Sequence, residues 1–77
     1  MKEFIEYIAK QLVDNPDSVV IDEKVDEDKR LLLSLRVSQS DIGKVIGKQG
    51  RTAAAMRVLL TAVAAKHGKR AVLEILD

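Results

Sequence analysis

The residues best suited to chemistry lie in one stretch of the chain, SDIGKVIGKQGRT, residues 40–52. Glycine lets a backbone approach a ligand closely because it carries no Cβ atom, and neighbouring lysine or arginine side chains supply positive charge. The stretch therefore predicts an anion-binding loop. Two anions are candidates: the phosphates of a bound nucleotide and the phosphodiester backbone of a nucleic-acid strand. The glycines and cations concerned are Gly43, Gly47, Gly50, Lys44, Lys48 and Arg51.

The nucleotide alternative requires a spacing that these glycines do not have. A P-loop reads G-x-x-x-x-G-K-[ST] after a strand, but only three residues separate Gly43 from Gly47. Gln49 also stands where a magnesium-binding hydroxyl is needed. The dinucleotide-binding pattern G-x-G-x-x-G fails as well, because the three glycines are four and three positions apart. The sequence thus favours a polynucleotide backbone as the anion.

Residues 47–50, GKQG, are expected to form a turn between two helices with main-chain N–H groups facing outward. The N-terminus of the second helix would add roughly half a positive charge and free N–H donors, which suit a phosphate. Gly47 and Gly50 would admit a sugar-phosphate backbone to contact distance. Lys48 and Gln49 at the tip would add a cation and a hydrogen-bonding amide.

A short helix before the turn carries Ile42, Val45 and Ile46. We expect Ile46 to be mainly buried, and Ile42 and Val45 to be divided between the core and a ligand groove. Gly43 falls in the interior of this helix, where glycine costs about 1 kcal/mol relative to alanine. We therefore expect either a base or a neighbouring helix to pack directly against Gly43.

The ends of the two helices carry capping signals. Ser38 and Asp41, three positions apart, resemble a reduced capping box at the start of the short helix. Gly47 occupies the position where a left-handed residue commonly ends a helix. Gly50 has no evident capping role, which favours a functional reason for it. The cations that flank the turn are Lys44 and Arg51.

Hydrophobic periodicity predicts the elements that must position this turn. The first helix stops before Pro16, because proline disfavours the helical conformation of the preceding residue. The polar connector DEDKR, residues 26–30, joins two alternating strands and predicts an antiparallel hairpin. Gly68 ends the long helix. The predicted elements are a helix over 2–13, strands over 18–25 and 31–37, a short helix through Ile46, a helix over 51–67 and a strand over 70–76.

The predicted order is α-β-β-α-α-β. The second and third strands are joined through two helices, and such a crossover favours parallel pairing. We therefore expect an α+β fold, with a three-stranded mixed sheet and three helices on one face, as a single domain over residues 1–77. The predicted core positions are Phe4, Ile5, Ile8, Leu12, Val13, Val19, Ile21, Val25, Leu31, Leu33, Leu35, Val37, Met56, Leu59 or Leu60, and Val63.

Composition narrows the function classes. The hydrophobic fraction of 47% is typical of a folded chain, and the absence of cysteine excludes disulfides and thiolate metal sites. Neither a signal peptide nor a membrane span is predicted, and a cytoplasmic location is expected. Residues 1–28 carry three lysines against nine carboxylates, a balance of −6, whereas residues 29–77 have a balance of +7. This asymmetry, with the glycines, favours a polyanionic partner.

The segment VIGKQGRT, preceded by DIGK, resembles the [I/V]-G-x-x-G signature of KH domains, whose loop clamps about four nucleotides of single-stranded backbone. The order α-β-β-α-α-β corresponds to the type II, bacterial version of that fold. With a KH pattern over the whole chain, the sequence is also similar to the small bacterial KhpA (YlqC-like) RNA-binding family. Both the GxxG motif and its position between two helices carry the resemblance.

The resemblance implies that Gly47, Lys48, Gln49 and Gly50 hold the phosphates. It also implies an apolar groove beside the loop, with an adjoining strand as its second wall. The resemblance further implies that bases lie in this groove. The composition agrees with this, since the aromatic residues Phe4 and Tyr7 both fall on the first helix and offer no stacking platform. The residues that would form the first wall are Ile42, Gly43, Val45 and Ile46.

Two functions follow as hypotheses. The first is a non-enzymatic RNA-binding protein, an RNA chaperone or post-transcriptional regulator that grips single-stranded RNA through residues 47–50. The alternative is a protein-interaction module that forms a homodimer or pairs with a KhpB (Jag-like) partner, with RNA binding secondary. No catalytic residues, metal ligands, cofactor or small-molecule substrate are expected in either case.

Overall fold

A computed structural model describes residues 1–76 of the chain. Asp77, the last residue of the predicted domain, lies outside the described residues. The helices are α1 (Lys2–Leu12), α2 (Ile42–Ile46) and α3 (Arg51–Lys66), and the strands are β1 (Val20–Val25), β2 (Leu31–Arg36) and β3 (Ala71–Ile75). Short 3-10 turns cover Pro16–Ser18, Gln39–Asp41 and Lys48–Gly50.

The three strands form one mixed sheet in the order β1-β2-β3. β1 and β2 are antiparallel, with Ile21 opposite Leu35, as the hairpin connector predicted. β2 and β3 are parallel, with Leu33 opposite Leu73, and the crossover between them runs through α2 and α3. The predicted α+β fold of type II KH topology is thus confirmed.

The core lies between one face of the sheet and all three helices. Alternate residues of the central strand point into it, and Leu33 and Leu35 are fully buried. Ile5 from α1, Val45 from α2 and Met56 from α3 pack in the same cluster. Each helix therefore covers the same sheet face, which fixes the end of α2 and the start of α3 side by side at one end of the sheet.

Several core predictions were wrong at the ends of elements. Leu12 is 36% exposed, because α1 ends there and the extended residue Val13 turns into the core instead. Val25 is 65% exposed, because β1 runs past the helices into the hairpin turn. Either Leu59 or Leu60 was expected in the core; Leu60 is buried and Leu59 is exposed. Ala9, which was not predicted, is fully buried on α1.

Among residues 1–76, no helix combines the length and the apolar character needed to cross a membrane.

Candidate nucleic-acid interface

Residues 47–50 form one tight turn between α2 and α3. Gly47 has φ 79° and ψ 171°, Gln49 has φ 56° and ψ 26°, and Gly50 has φ 75° and ψ 12°. The Gly50 N–H donates to the Gly47 carbonyl oxygen at 3.1 Å, and the Arg51 N–H donates to that of Lys48. Because these bonds span three residues, the Lys48 and Gln49 N–H groups at the start of the turn have no partner within it.

Gly47 is required by the conformation of the turn. Its φ is positive, as predicted, but its ψ of 171° places it in an extended region that is essentially restricted to glycine, and not in the left-handed helical region. A Cβ atom at this position would overlap the side chain of Thr52 and lie 2.7 Å from the Thr52 backbone nitrogen. Gly47 therefore lets α2 and α3 approach within one turn.

Gly50 has a different role. It is the N-cap of α3 and adopts the left-handed conformation, so the expectation that it has no capping role was wrong. A Cβ atom at Gly50 would meet no atom within 4 Å. Its conformation thus favours glycine, while the space beside it is open to an approaching ligand.

The two residues at the tip of the turn are both exposed. Gln49 has a left-handed backbone conformation that residues other than glycine rarely adopt. Its side-chain oxygen accepts a hydrogen bond from Arg51 Nη2 at 3.1 Å, which keeps the guanidinium beside the turn. Lys48 takes part in none of the ion pairs found among residues 1–76, so its ammonium is available to a bound anion.

Lys44 lies in a different electrostatic environment, although it is only four positions from Lys48. Its Nζ is 3.2 Å from Asp14 Oδ2 and 3.7 Å from Asp41 Oδ1. The hydrogen bond to Asp14 raises the pKa of Lys44, and Asp41 adds to the effect. The charge of Lys44 is therefore largely balanced before any anion binds.

Asp41 joins the start of α2 to the segment that follows α1. Its side chain is fully buried and accepts hydrogen bonds from the Asp14 N–H at 3.2 Å and from the Asn15 N–H and Nδ2 at 3.0 Å each. Burial alone would raise the pKa of Asp41, but these hydrogen bonds and Lys44 outweigh burial and lower it. This carboxylate fixes the helix that leads into the turn.

The predicted capping box between Ser38 and Asp41 was wrong. Neither residue makes a side-chain capping bond, and the Ser38 hydroxyl lies 2.9 Å from that of Ser40. Sequence reasoning missed the real role of Asp41 because its partners, Asp14 and Asn15, are 27 and 26 positions away. No local pattern marks a contact over that distance.

The expected groove wall on α2 needs one correction. Val45 is fully buried in the core and cannot line a surface groove, whereas Ile46 and Ile42 are both half-buried. The expectation that Val45 is divided between the core and a groove was therefore wrong, because α2 turns Val45 toward the sheet. Gly43 is exposed, and a Cβ atom there would meet nothing within 4 Å, so no neighbouring helix explains this glycine.

The strand that adjoins α3 is β3, an edge strand of the sheet. Arg57 on α3 donates from Nε to the Leu73 carbonyl oxygen of β3 at 3.3 Å and so joins helix and strand. Ile75, half-buried, packs against the core from the end of β3, as Ile42 does from α2. Arg57 was not predicted as a site residue, since its spacing from the turn carries no recognisable signal.

The charge distribution along this half of the molecule is strongly one-sided. Residues 42–76 contain seven lysines and arginines but only one carboxylate, Glu74. In α3 there is no acidic residue at all. Residues 1–76 hold no group of three or more His, Cys, Asp or Glu side chains that could bind a metal ion. The turn therefore lies in a basic region with an exposed, glycine-flanked backbone.

Comparison with known proteins decides the family. The family model described as KhpA/KhpB, KH domain, matches residues 2–75. The chain belongs to this KH-domain family. No solved structure matches the chain at a significant level.

Curated members of the KhpA/KhpB family are similar to the chain along its whole length. The RNA-binding protein KhpA of Aquifex aeolicus is 51% identical over 77 residues, which cover 100% of this chain and 96% of that protein. The RNA-binding protein KhpA of Borreliella burgdorferi is 53% identical over 75 residues, or 97% of this chain and 90% of that protein. The protein of the same name from Clostridium perfringens is 50% identical over 76 residues, covering 99% and 100%.

Proposed function

We propose that the chain binds single-stranded RNA by gripping its backbone in the turn of residues 47–50. The observation that carries this proposal is the exposed GKQG turn itself. It combines two glycines at positive φ, an unpaired lysine and the N-terminus of the 16-residue helix α3. Relatives about 50% identical over the full chain are named RNA-binding proteins, which supports RNA as the polymer.

The phosphate is held by main-chain and side-chain donors together. The Lys48 and Gln49 N–H groups and the first turn of α3 provide the donors and the positive end of the helix dipole. The Lys48 ammonium adds a charge-assisted contact. Gly50 leaves space for the sugar on the open side of the turn.

Bases lie beside the turn, against Ile42, Gly43 and Ile46, with β3 as the opposite wall. The open surface over Gly43 supports this placement, because it removes the packing explanation for a helix-interior glycine. A KH groove of this type accommodates about four nucleotides. Val45 contributes from beneath by supporting α2 in the core.

The grip is weak and has low sequence selectivity. Lys44 is balanced by two carboxylates, so Lys48 and Arg51 are the cations beside the turn that are left for phosphates. Phe4 and Tyr7 lie on α1 and provide no stacking platform for bases. Such binding suits an RNA chaperone or post-transcriptional regulator acting in the cytoplasm, without catalysis of its own.

The direct test is the double substitution Lys48→Asp/Gln49→Asp, which places two carboxylates against the phosphate and keeps both glycines. We expect RNA binding in a fluorescence-anisotropy or gel-shift assay to be lost, with an unchanged circular dichroism spectrum. Gln11→Asp/Lys24→Asp is the matched control, since both residues are exposed elsewhere and the charge change is the same. Unimpaired binding by the loop variant would refute the clamp.

A second function, association with another KH chain, is favoured by the outer face of α3. Val58 on this face is 68% exposed. Together with Arg57, Thr61, Ala62 and Ala65, it lines an apolar hollow of about 380 Å³. In an antiparallel pair of α3 helices, Val58 would face Thr61 of a second copy, and small residues at both ends would permit close approach. The partner is a second copy or a KhpB (Jag-like) protein.

Association is tested by Val58→Asp, with Leu59→Asp as the control on a neighbouring exposed face of the same helix. Sedimentation at increasing protein concentration should show self-association of the wild type and the control, and a monomer for Val58→Asp. A wild type that stays monomeric alone and with a KhpB-type chain would exclude this function. RNA binding by the monomeric variant would separate the two functions.

A further inference from the structure

A second basic surface lies at the opposite end of α3 from the GKQG turn. It is a hollow of about 460 Å³ where the β1–β2 hairpin meets the α3–β3 connection. The 16 residues of α3 separate it from the turn by about 24 Å, at 1.5 Å per residue. The residues that line it are Val25, Asp28, Lys29, Leu31, Gly68, Lys69 and Arg70.

The hollow combines apolar side chains with unpaired cations. Val25, one of the most exposed apolar residues described, lines it together with the mostly buried Leu31. Lys29, Lys69 and Arg70 surround these two residues, and no ion pair among residues 1–76 involves any of the three.

The single carboxylate of the hollow does not neutralise it. Asp28 Oδ2 lies 4.0 Å from Arg30 Nη2, so its charge is directed to a residue that does not line the hollow. Arg70 Nη2 donates instead to the Asp28 main-chain oxygen at 3.4 Å, which positions the guanidinium without cancelling its charge. The hollow therefore contrasts with Lys44, whose ammonium is held by two carboxylates.

We propose that this hollow is a second RNA subsite, which binds the backbone and one nucleotide of a strand that extends beyond the GKQG turn. The inference rests on the proposed RNA-binding function and assigns a role to Lys29, Lys69 and Arg70. The cations hold phosphates as charge-assisted donors, and Val25 provides an apolar surface for a base or sugar.

The surface between the two sites favours a continuous polyanion over an acidic protein segment. α3 carries Arg51, Arg57 and Lys66 but no carboxylate, so a strand following the helix meets no repulsive charge from α3 itself. Arg57 lies between the two ends and faces β3 through its bond to the Leu73 oxygen. A strand that leaves the turn along the α3–β3 boundary thus reaches the hollow at the end of the helix.

The test compares short and long strands with a charge-reversed hollow. Lys69→Glu/Arg70→Glu is measured beside Lys10→Glu/Lys24→Glu, a control with the same change in net charge at exposed positions on α1 and β1. Binding of unstructured RNA of about four and about twelve nucleotides is measured as a function of salt. Circular dichroism verifies that both variants are folded.

We expect the hollow variant to bind the long strand about tenfold more weakly than the control does, with the salt slope reduced by about 1 to 2. The short strand should bind equally to both, because it reaches only the GKQG turn. A long strand also offers more binding registers, so the comparison between variants on the same strand is the readout, rather than the gain with length.

Each other outcome overturns a defined part of the account. Equal binding of the long strand to both variants, or an equal loss with both strands, would refute the second subsite and leave the GKQG turn unaffected. Failure of the short strand to bind wild type would instead refute the proposed function. Competition by polyglutamate as strong as by RNA at the same ionic strength would assign the hollow to an acidic protein segment.

Discussion

The hairpin turn at residues 26–30 and the turn at residues 47–50 share a backbone feature but differ in their roles. Each places one residue other than glycine at positive φ, Lys29 at 63° and Gln49 at 56°, and these are the two such residues described in the chain. Each also carries an exposed lysine. The difference lies in what satisfies the main chain of the turn.

The hairpin turn is stabilised by the side chain of Asp26, its first residue. The Asp26 carboxylate accepts hydrogen bonds from the Asp28 N–H, the Arg30 N–H and Arg30 Nε, all at 2.8 to 2.9 Å. The bond from the Arg30 amide, with the other Arg30 contacts, lowers the pKa of Asp26. Most donors of this turn are therefore occupied within the protein.

The GKQG turn contains no carboxylate. It is stabilised by the backbone conformations of its glycines and by contacts of residues outside the turn. Asp41 fixes α2 through Asp14 and Asn15, and not one of these residues belongs to the turn. The donors at its tip are consequently left for a ligand. The main-chain donors of the hairpin turn are therefore mostly occupied within the protein, whereas those at the tip of the GKQG turn remain available to a ligand.

Substitution of the two loop glycines should produce the largest effect. Gly47→Ala meets the Thr52 backbone in a conformation that alanine does not adopt, so we expect a loss of about 3 kcal/mol in the free energy of unfolding. Gly50→Ala keeps open space and should cost about 1 kcal/mol. Urea unfolding measures both. Equal losses would contradict the distinct roles of the two glycines.

Acid should destabilise the protein through protonation of Asp26 and Asp41, and the effect of Asp41 should be the larger one. Each has a folded-state pKa below the ordinary value of 3.8, so the stabilisation is complete above that pH and is lost as the pH falls through the folded pKa. Asp41→Asn should flatten the pH dependence of the urea midpoint below about pH 4 more than Asp26→Asn does, because Asp41 is buried. The reverse order would contradict the assigned support of α2.

Sequence periodicity was sufficient for the architecture because its signals are local. Leu31, Leu33 and Leu35 alternate along β2, and Gly47 and Gly68 mark helix ends, so the order of elements and the parallel crossover could be predicted. The position of the GKQG turn between two helices followed from the same signals. These predictions depend on neighbours within a few residues.

The misplaced residues depend on contacts across the fold. Val45 and Ile46 are adjacent on a helix of only five residues, so periodicity could not decide which one faces the sheet. Asp41 is bound by residues 26 and 27 positions earlier, and Arg57 by Leu73, 16 positions later. Long-range hydrogen bonds and ion pairs produce no periodic pattern in the sequence. The ion pair of Lys44 with Asp14 could therefore not be predicted either.

Replacing the two left-handed residues by glycine should sharpen the comparison of the turns. Lys29→Gly and Gln49→Gly each remove an unfavourable backbone conformation, and each should raise the free energy of unfolding by about 1 kcal/mol. Binding of a four-nucleotide RNA should fall only for Gln49→Gly, which loses the amide side chain at the tip. A similar fall for Lys29→Gly would contradict the distinction between the turns.

The smallest expected effect is a gain of binding. Asp14→Asn removes the closer of the two carboxylates at Lys44 and should raise RNA affinity about threefold, within the range of an exposed ion pair. The pKa of Lys44 should fall in the same variant, because Asp14 is the main cause of its increase. Asp17→Asn, an exposed residue of the same connection, is the control. Unchanged affinity would show that Lys44 lies off the RNA path.

The central claim is tested most directly by NMR, with an RNA of about four nucleotides titrated into the isotope-labelled protein. We predict that the amide signals of residues 42–52 shift with RNA, with the largest changes at Lys48, Gln49 and Gly50, while those of residues 26–30 stay in place. Shifts confined to the hairpin turn or to the outer face of α3, with residues 47–50 unmoved, would contradict it.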